Sequence, residues 1–468
     1  SMICESGELY FDVEAVASQE KIKKYNDSLD EWECNSGFQI NEENGYLFID
    51  SYESTTLFIL EKLLELSKVS NRGQWESNSR YLRECNINFE DSLKKVALQK
   101  VFVNSQVMLI YGAAGTGKTT LINYISNMMN QSKKLFLTKT HTALQNLKRC
   151  IENPGSDSDF VSIDSFTKMI TLTDYDIVFV DECSTIDNRT MKKMLEKIDD
   201  DTFLVLAGDI YQIESIDFGN WFYYAKDIIK TDGANIELLN TWRTEKEELK
   251  SLWDEVRKKE SIITEKLVMD GPFSSNIGEE ILVSEDEDEI VLCLNYDGKF
   301  GLNNMNLYFQ NANTRSKVYT WAEWTFKVGD PIIFLDTKRS SLLYNNLKGR
   351  IVGISKNESA ISFTLDIDTI LTERQCRRES FEFVEVTNSG TRIRLEVLAS
   401  NEEAGSDEER VKTIIPFQIA YAVSIHKAQG LEYKSVKIII PSGNAEKISH
   451  SIFYTAITRA KEKLKIYW

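Results

Sequence analysis

The pattern of apolar and polar positions divides the chain into regions of different character. Over residues 89 to about 231, short apolar runs typical of buried strands alternate with apolar residues at helical spacing, which predicts a parallel α/β sheet. From Phe326 to about Glu385 the pattern changes to short strands separated by turns, which predicts a small all-β unit. A barrel is preferred over an edge extension of the neighbouring sheet. The last stretch of the chain returns to α/β character.

One strand, loop and helix carry the strongest local signal. The apolar run 107–111 predicts a buried strand, and residues 112–119 fit the pattern G-x-x-x-x-G-K-[ST]. Apolar residues at helical spacing follow from Leu121. A match in this context predicts a phosphate-binding loop, because the motif needs a strand before it and a helix after it.

The residue types of this loop are suited to binding a nucleoside triphosphate. Glycines let the backbone curl until its N–H groups point at phosphate oxygens, and the loop has three, at Gly112, Gly115 and Gly117. The following helix directs its positive dipole end at the same anion. Lys118 can reach the β and γ phosphates, and the Thr119 hydroxyl can ligate Mg²⁺. ATP and Mg²⁺ are therefore the predicted ligands.

Polar residues follow two other predicted strands. Asp181 and Glu182 come directly after the apolar run 177–180. The first carboxylate can hold Mg²⁺ and the second can orient or deprotonate the attacking water. Gln212 lies shortly after the run 203–207, where its amide can sense the γ-phosphate. Carboxyl ends of parallel strands meet at one edge of a sheet, so these side chains are predicted to face the loop.

Two further residues stay ambiguous from spacing alone. Gln99, shortly upstream of the loop, could pair with adenine through its amide or could equally face solvent from a helix. Arg243 by itself is typical of a surface or ion-pair residue.

Near the C-terminal end, polar and basic residues cluster again at 426–432 and at Arg459, which predicts a second half-site facing the first. An arginine from that side could neutralise charge on the transferred phosphoryl group.

Composition and net charge limit how the chain can bind nucleic acid. The 468 residues carry 55 Lys and Arg against 73 Asp and Glu, a net charge of −18, which argues against indiscriminate coating of nucleic acid. A local basic channel is compatible with that sum. The acidic runs at 284–289 and 407–409 are predicted to be solvated loops. Ser1 before Met2 is interpreted as a tag remnant.

Several features indicate a cytoplasmic protein. The seven cysteines are scattered without a C-x-x-C pair, so neither a zinc site nor a disulfide framework is expected. No apolar run reaches the length of a membrane-spanning helix, and the first residues lack a signal-peptide pattern. No membrane partner is expected.

Residues 1–88 carry no recognisable chemical motif. Apolar spacing around Leu57–Leu64 predicts one amphipathic helix, and the surrounding aromatic residues indicate a folded region. This accessory region could bind a protein partner or could cap the rest of the chain. The pattern makes no prediction about the oligomeric state.

Seven segments, in order, resemble the motifs of superfamily-1 helicases of the RecD-like branch, the B subgroup that moves 5′ to 3′. The resemblance extends over residues 99–468. The matching segments are GAAGTGKTT, TKTHTAL, VFVDECSTID, LAGDIYQIESI, NTWRTE, SIHKAQGLE and FYTAITRAK.

This resemblance implies a fold of two RecA-like domains with an inserted SH3-like β-barrel and an N-terminal accessory region. The implied boundaries are 1–88 for the accessory region and 89–231 for the first RecA-like domain. The second RecA-like domain would comprise 232–325 and 411–468, and the barrel 326–410.

The same resemblance implies a role for each motif residue. The residues implied in catalysis are Lys118, Glu182, Gln212, Arg243 and Arg459, the two arginines acting as fingers. Those implied in nucleotide binding are Gln99, Gly112, Ala113, Ala114, Gly115, Thr116, Gly117, Lys118, Thr119, Thr120, Gly430 and Glu432. Thr119 and Asp181 would hold the metal. Those implied in nucleic-acid binding are Thr140, His141, Ser165, His426 and Lys427.

Two local departures from the family pattern affect the expected activity. The segment Leu147–Val161 is short where relatives often carry a strand-splitting pin, and Asp164 stands where relatives tend to have His. The leading hypothesis is an ATP-driven single-stranded DNA translocase or helicase. An RNA helicase of the same superfamily, and a nucleic-acid-stimulated NTPase switch working with a partner protein, remain alternatives.

Overall fold

The computed structural model describes most of the chain as two compact units, Ser1–Arg243 and Thr244–Trp468. The described residues are 8–13, 19–70, 73–84, 92–169, 174–213, 215, 217–258, 273–283, 286, 288–314, 316–335, 339–340, 342–399, 411–441 and 448–468. The predicted acidic loop 407–409 lies outside these residues, and 284–289 lies partly outside them. None of the described helices is long and apolar enough to cross a membrane.

The first unit contains a six-stranded parallel sheet and its covering helices. Its described strands are β1 (Phe11–Asp12), β2 (Ile40–Glu43), β3 (Tyr46–Ile49), β4 (Val107–Gly112), β5 (Lys134–Thr138), β6 (Ser158–Ser162), β7 (Ile177–Val180), β8 (Phe203–Gly208) and β9 (Asn235–Leu238). Its described helices are α1 (Gln19–Ser28), α2 (Glu31–Asn35), α3 (Asp50–Leu66), α4 (Gln74–Glu84), α5 (Ser92–Lys100), α6 (Lys118–Met128), α7 (His141–Cys150), α8 (Ile163–Lys168), α9 (Asn188–Leu195) and α10 (Trp221–Ile228).

The strand order of the main sheet is β6-β5-β7-β8-β4-β9, and every described pairing in it is parallel. Strands β4, β5 and β7 are buried along their whole length, as expected for a sheet covered on both faces. Separate apolar clusters fill the two faces. The sequence-predicted parallel α/β sheet is therefore confirmed.

Part of the accessory region covers one face of this sheet. Helix α3 places Ile59 and Leu63, both fully buried, in the same apolar cluster as Leu109 and Leu137 of the sheet. It also packs against α9 and α10. The predicted amphipathic helix is thus a structural layer of the first unit. The small antiparallel sheet β1-β3-β2 precedes it.

The first unit extends beyond residue 231, the predicted end of the first domain. Strand β9 pairs in parallel with β4, from Leu109 opposite Asn235 to Gly112 opposite Leu238. The apolar residues of β9 are compatible with the parallel sheet of either unit, and only the observed strand pairing decides between the two. The structure assigns 232–243 to the first unit instead of the second.

The second unit combines a parallel sheet with an antiparallel one. Its described strands are β10 (Ser274–Ser275), β11 (Glu289–Cys293), β12 (Val318–Trp321), β13 (Trp324–Lys327), β14 (Pro331–Phe334), β15 (Lys348–Lys356), β16 (Ala360–Ile367), β17 (Glu382–Val386), β18 (Thr391–Leu398), β19 (Phe417–Ile419), β20 (Ala422–Ser424), β21 (Tyr433–Ile439) and β22 (Ala460–Tyr467). Its described helices are α11 (Glu247–Arg257), α12 (Leu302–Ala312), α13 (Glu373–Cys376) and α14 (His450–Ile457).

The parallel sheet has the order β10-β22-β21-β11-β20, and the antiparallel sheet the order β17-β18-β16-β15-β14-β19. The antiparallel sheet has its own apolar core, so the sequence pattern correctly predicted an inserted β domain. Its strand β19 pairs with β14 and lies beyond residue 410, the predicted end of the insertion. The SH3-like barrel assignment stays a prediction.

A buried ion pair links two strands of the second parallel sheet. Lys437 Nζ lies 2.9 Å from Glu289 Oε1, and the two side chains are only 2% and 5% exposed. Glu289 also accepts a hydrogen bond from Ser435 Oγ at 2.9 Å, and the carbonyl of Ile281 accepts from Lys437 Nζ at 3.1 Å. Both charges are therefore compensated inside the unit.

Removing one partner of this pair is expected to destabilise the second unit strongly. Glu289→Ala leaves a buried ammonium without its carboxylate, which typically costs about 3–5 kcal/mol. Replacing both partners by apolar residues, Glu289→Leu with Lys437→Met, should recover most of that loss. Denaturant unfolding of the three chains measures the difference. Equal stability of Glu289→Ala and the parent would contradict this account.

Candidate functional site

The phosphate-binding loop has backbone geometry that requires glycine. Gly115 and Gly117 have φ of +78° and +85°, the left-handed region that other residues rarely adopt. A Cβ on Gly115 would lie 2.2 Å from Cβ of Arg243, and one on Gly117 would lie 2.5 Å from Nζ of Lys94. The curled loop is therefore closely packed against Arg243 and Lys94.

The remaining loop residues support this shape. Ala113 and Ala114 are almost fully buried. The Thr116 hydroxyl donates to the Ala113 carbonyl at 2.9 Å, which closes the turn internally. Thr120 is exposed in the first turn of α6. The strand, loop and helix thus have the arrangement that the motif predicted.

Lys118 lies across the start of the loop. Its Nζ donates to the carbonyls of Gly112 and Ala113, at 2.8 and 3.0 Å. Burial lowers the pKa of Lys118, and the carboxylates of Asp209 and Asp181 oppose that shift. The acids thus favour the charged ammonium, which can exchange its two carbonyl partners for phosphate oxygens.

Thr119 and Asp181, the two predicted metal ligands, lie in contact at the same edge of the sheet. The Thr119 hydroxyl donates to Asp181 Oδ2 at 3.0 Å, and the Glu182 backbone N–H donates to Oδ1 at 2.9 Å. Burial raises the pKa of Asp181, and the Lys118 charge opposes the rise. Adjacent ligands of octahedral Mg²⁺ lie about 2.9 Å apart, so this hydroxyl and carboxylate fit that ion in type and spacing.

Glu182 has an unusual backbone for a residue with a side chain. Its φ and ψ are 59° and 40°, in the left-handed helical region. The carbonyl of Glu182 accepts from the N–H and hydroxyl of Thr185, at 3.0 and 2.8 Å, and these bonds hold the conformation. Such a conformation costs roughly 1–2 kcal/mol and is concentrated at functional sites.

Asp209 is a site residue that the sequence analysis did not single out. It follows β8, is 3% exposed, and its carboxylate accepts from Gln212 Nε2 and from the Tyr211 N–H, both at 3.1 Å. It also lies close enough to Lys118 to influence the pKa of that ammonium. The available signal was its position directly after a buried strand, the same signal that identified Asp181.

Arg243 lies in the first unit, beside the loop. The Trp242 backbone N–H donates to the Gly115 carbonyl at 2.8 Å, and Arg243 follows at the position where a Gly115 side chain would stand. Its positive charge acts against protonation of Lys118. Sequence assignment placed Arg243 in the second domain, whereas the structure packs it against the loop of the first.

Gln99 has a less direct connection to the loop. It lies half-buried at the end of α5, and its backbone carbonyl accepts from Asn78 Nδ2 at 3.1 Å. Asn78 is fully buried in α4 and also donates to the Val101 carbonyl at 2.8 Å. These contacts concern the backbone of Gln99, so its adenine-binding role stays a prediction.

The predicted nucleic-acid residues of the first unit lie at two helix starts. Thr140 caps α7, its hydroxyl accepting from the Ala143 N–H at 3.2 Å, and His141 beside it is exposed. Ser165 is exposed in α8, with its hydroxyl 2.8 Å from that of Ser162. Both starts therefore offer polar groups to solvent.

The unexpected acid Asp164 is paired. Lys139 Nζ lies 3.0 Å from Asp164 Oδ1 and 3.4 Å from Asp187 Oδ2. Lys139 follows β5 directly, next to the cap residue Thr140. Both carboxylates therefore pair with the lysine that lies next to Thr140 and His141, which are predicted to contact the nucleic acid.

In the second unit, Arg459 is buried and held by its own surroundings. It is 2% exposed. Its Nε and Nη1 donate to the carbonyls of Thr455 and Leu431 at 2.9 and 3.1 Å, and Nη2 donates to the Thr458 hydroxyl at 3.1 Å. A finger role would require Arg459 to exchange some of these bonds.

The other predicted residues of the second unit flank the turn after β20. His426 is exposed, and Lys427 Nζ donates to Gln418 Oε1 at 3.0 Å. Gly430 has φ of +76°, and Glu432 pairs with Lys461 at 2.8 Å. The turn therefore presents one histidine and one lysine near each other.

Comparison with known proteins agrees with this arrangement. The family model for an AAA domain matches residues 94–269, and that for a UvrD-like helicase C-terminal domain matches residues 419–467. The chain is similar to the RecBCD enzyme subunit RecD of Buchnera aphidicola subsp. Acyrthosiphon pisum, at 22% identity over 80% of this chain and 72% of that protein.

Two further relatives extend the comparison. An uncharacterized protein of Methanocaldococcus jannaschii is 23% identical over 78% of this chain, which spans 37% of that protein's length. The crystal structure of Bacteroides Pif1 bound to ssDNA aligns with a TM-score of 0.49 and 14% identity, over 81% of this chain and 92% of that one.

The two matched family models contain the sequence motifs: the first begins in the first unit and extends past Arg243 to residue 269, and the second lies in the second unit. The first contains the loop with Lys118 and the strand that precedes Asp181, and the second contains Gly430 and Arg459. Together with the similarity to RecD over four fifths of the chain, this confirms the resemblance. The chain thus matches an AAA domain followed by a UvrD-like helicase C-terminal domain, and it is similar to the RecD-like, ATP-dependent helicases of superfamily 1B.

Proposed function

We propose that this chain hydrolyses ATP to move 5′ to 3′ along single-stranded DNA. The observation that carries the proposal is the arrangement of Lys118, Thr119 and Asp181 at one edge of the first sheet. DNA is the proposed strand because the similarity to RecD-like helicases of superfamily 1B implies a motor that moves on single-stranded DNA. The family's 5′-to-3′ direction extends to this chain as part of the proposal.

Each residue of the first unit has one task in this scheme. Lys118 exchanges its carbonyl partners for β- and γ-phosphate oxygens. Glu182 accepts a proton from the attacking water, and Gln212, oriented by Asp209, contacts the γ-phosphate. Arg243 neutralises charge that develops during phosphoryl transfer.

Thr119 and Asp181 are the residues that would hold Mg²⁺. A magnesium ion held by them would supply positive charge that stabilises the triphosphate during phosphoryl transfer. The hydroxyl and carboxylate supply the hard oxygen ligands that this ion prefers. The hydrogen bond between these two residues also links the start of α6, directly after the loop, to the end of β7.

Arg459 is proposed as the second finger, from the other unit. Its guanidinium donates to carbonyls of its own unit, so its use in catalysis requires a rearrangement that ATP favours. Such a requirement would couple hydrolysis to a change in the second unit. Coupling of this kind is what a translocase needs.

The length of the connection after α7 affects the expected ability to unwind a duplex. Helix α7 ends at Cys150 and β6 begins at Ser158, and the intervening residues 151–157 have no described helix or strand. A duplex-splitting pin at that position needs a longer insertion. We therefore propose translocation on single strands as the main activity, with weak strand separation.

The decisive experiment is ATPase rate with and without short single strands of matched DNA and RNA. We expect strong stimulation by DNA, followed by displacement of partly duplex substrates only from a 5′ tail. Equal stimulation by RNA would favour the RNA alternative. Robust ATPase without nucleic acid and no directional displacement would favour the NTPase switch.

Releasing Lys139 from its acidic partner should strengthen strand binding. Asp164→Asn removes one of the two carboxylates on Lys139, which then becomes available to a phosphate. We expect affinity for single-stranded DNA to rise roughly 3–10-fold, and the salt dependence of binding to steepen by about one phosphate contact. Fluorescence anisotropy at several salt concentrations measures both.

A matched control is Asp159→Asn, an acid whose Oδ2 accepts from the Tyr175 hydroxyl at 2.7 Å, away from Lys139. This change should leave both values unchanged. If Asp164→Asn binds DNA no more tightly than the parent, Lys139 does not contact the strand.

A further inference from the structure

Lys94 is a buried cation beside the phosphate-binding loop. It lies in α5, is only 8% exposed, and its Nζ stands 2.5 Å from the position that a Cβ on Gly117 would occupy. The same Nζ lies 5.6 Å from the ring centre of Trp242. Lysine is rarely buried to this extent, so its placement here indicates a specific role.

The two lysines reach opposite ends of the loop. Lys118 bends back to the carbonyls of Gly112 and Ala113, at the start of the loop. In loops of this class that lysine reaches the β and γ phosphates, while the backbone cradles the α and β phosphates. Lys94 stands at the other end, next to Gly117, so it is at the side of the α-phosphate and the nucleoside.

The helix that carries Lys94 also carries Gln99, but on a different side. The two are five positions apart, which corresponds to about 140° around a helix. The Gln99 carbonyl is held by Asn78 of α4. Of the two residues, only Lys94 has described contacts with the loop.

We propose that Lys94 meets the purine base, and that the site therefore accepts GTP as readily as ATP. This inference rests on the proposed nucleotide site. An ammonium donates hydrogen bonds and accepts none. Adenine offers it the N7 acceptor beside an amino donor, whereas guanine offers two acceptors, N7 and O6. A glutamine amide, in contrast, can pair with both groups of adenine.

Trp242 supplies a surface for the base. Its indole is 48% exposed, and its backbone is anchored to the Gly115 carbonyl at 2.8 Å. Stacking on an aromatic ring favours every base alike, since every base has a π face. Selectivity then depends on the hydrogen-bonding group beside the ring, which is the Lys94 ammonium.

The test is the ratio of kcat/KM for GTP to that for ATP, with binding of fluorescent GTP and ATP analogues measured separately without nucleic acid. We expect the parent ratio to lie within about fivefold of one. Lys94→Gln should shift it toward ATP by roughly 10-fold, the discrimination typical of one good base contact. Lys95→Gln, at the exposed neighbouring position, should leave it unchanged.

Two results would overturn the inference. One is a parent that prefers ATP more than about 100-fold, with no change in Lys94→Gln. The other is a Lys94→Met variant that loses affinity for both nucleotides equally, which would assign Lys94 to a phosphate. The binding measurement tests this inference separately from the proposed translocase activity. If single-stranded DNA fails to stimulate hydrolysis, the ratio of GTP to ATP affinity measured without nucleic acid is unaffected.

Discussion

Lys118→Ala should abolish ATP hydrolysis, with a loss of kcat/KM of at least about 10³-fold. The structure shows why this lysine has no substitute. Its Nζ is held at the start of the loop by two backbone carbonyls, and the nearby charges of Asp181 and Asp209 favour its protonated form. No neutral side chain can place a positive charge at that point.

The comparison should use phosphate release with saturating single-stranded DNA, together with nucleotide affinity. Lys68→Ala, an exposed lysine at the end of α3, is the matched control and should keep full activity. Circular dichroism checks that Lys118→Ala is folded. Strand-stimulated hydrolysis at the parental rate in Lys118→Ala would end the proposed mechanism.

The sequence was sufficient where one local pattern determined both the backbone and the chemistry. The glycine spacing predicted the loop, and the positive φ of Gly115 and Gly117 is what that spacing requires. The apolar run before Asp181 predicted a buried strand, and the carboxylate lies at its end against Thr119. Such features depend on residues close together along the chain.

Features that depend on distant parts of the chain were not predictable. Strand β9 could have joined either sheet, and its pairing with β4 is what brings Arg243 to the loop of the first unit. Lys94 looked like one lysine among several in a charged helix. Only the packing of α5 on the loop shows that it is buried while its neighbour Lys95 is exposed.

The backbone at Glu182 was equally invisible to pattern analysis. Its identity suggested a catalytic base, but no residue type there predicts the left-handed conformation, which is held by hydrogen bonds that Thr185, three residues further on, donates to the Glu182 carbonyl. A strained residue is retained where the surrounding structure over-determines it. The strain at Glu182, next to Thr119 and Asp181, the two proposed metal ligands, is therefore a second, independent indication of function.

Glu182→Gln should remove hydrolysis while keeping nucleotide binding. The amide is nearly the same size as the carboxylate but cannot accept a proton from water, and general-base catalysis typically contributes about 10²–10⁴-fold. Single-turnover hydrolysis should fall by that factor, whereas the affinity for a fluorescent ATP analogue should stay within about threefold of the parent. This combination separates Glu182 from Lys118, whose loss affects binding of the phosphates as well.

The control must address the backbone, because any change at a left-handed position can alter the fold. Glu182→Asn places a residue that tolerates this conformation there and also lacks the carboxylate, so it should be as inactive as Glu182→Gln and equally stable. Glu182→Asp keeps the carboxylate one methylene shorter and should retain partial activity. If Glu182→Gln and the parent hydrolyse ATP equally fast, the base is another residue, and the strained backbone at Glu182 serves only to shape the turn that follows β7.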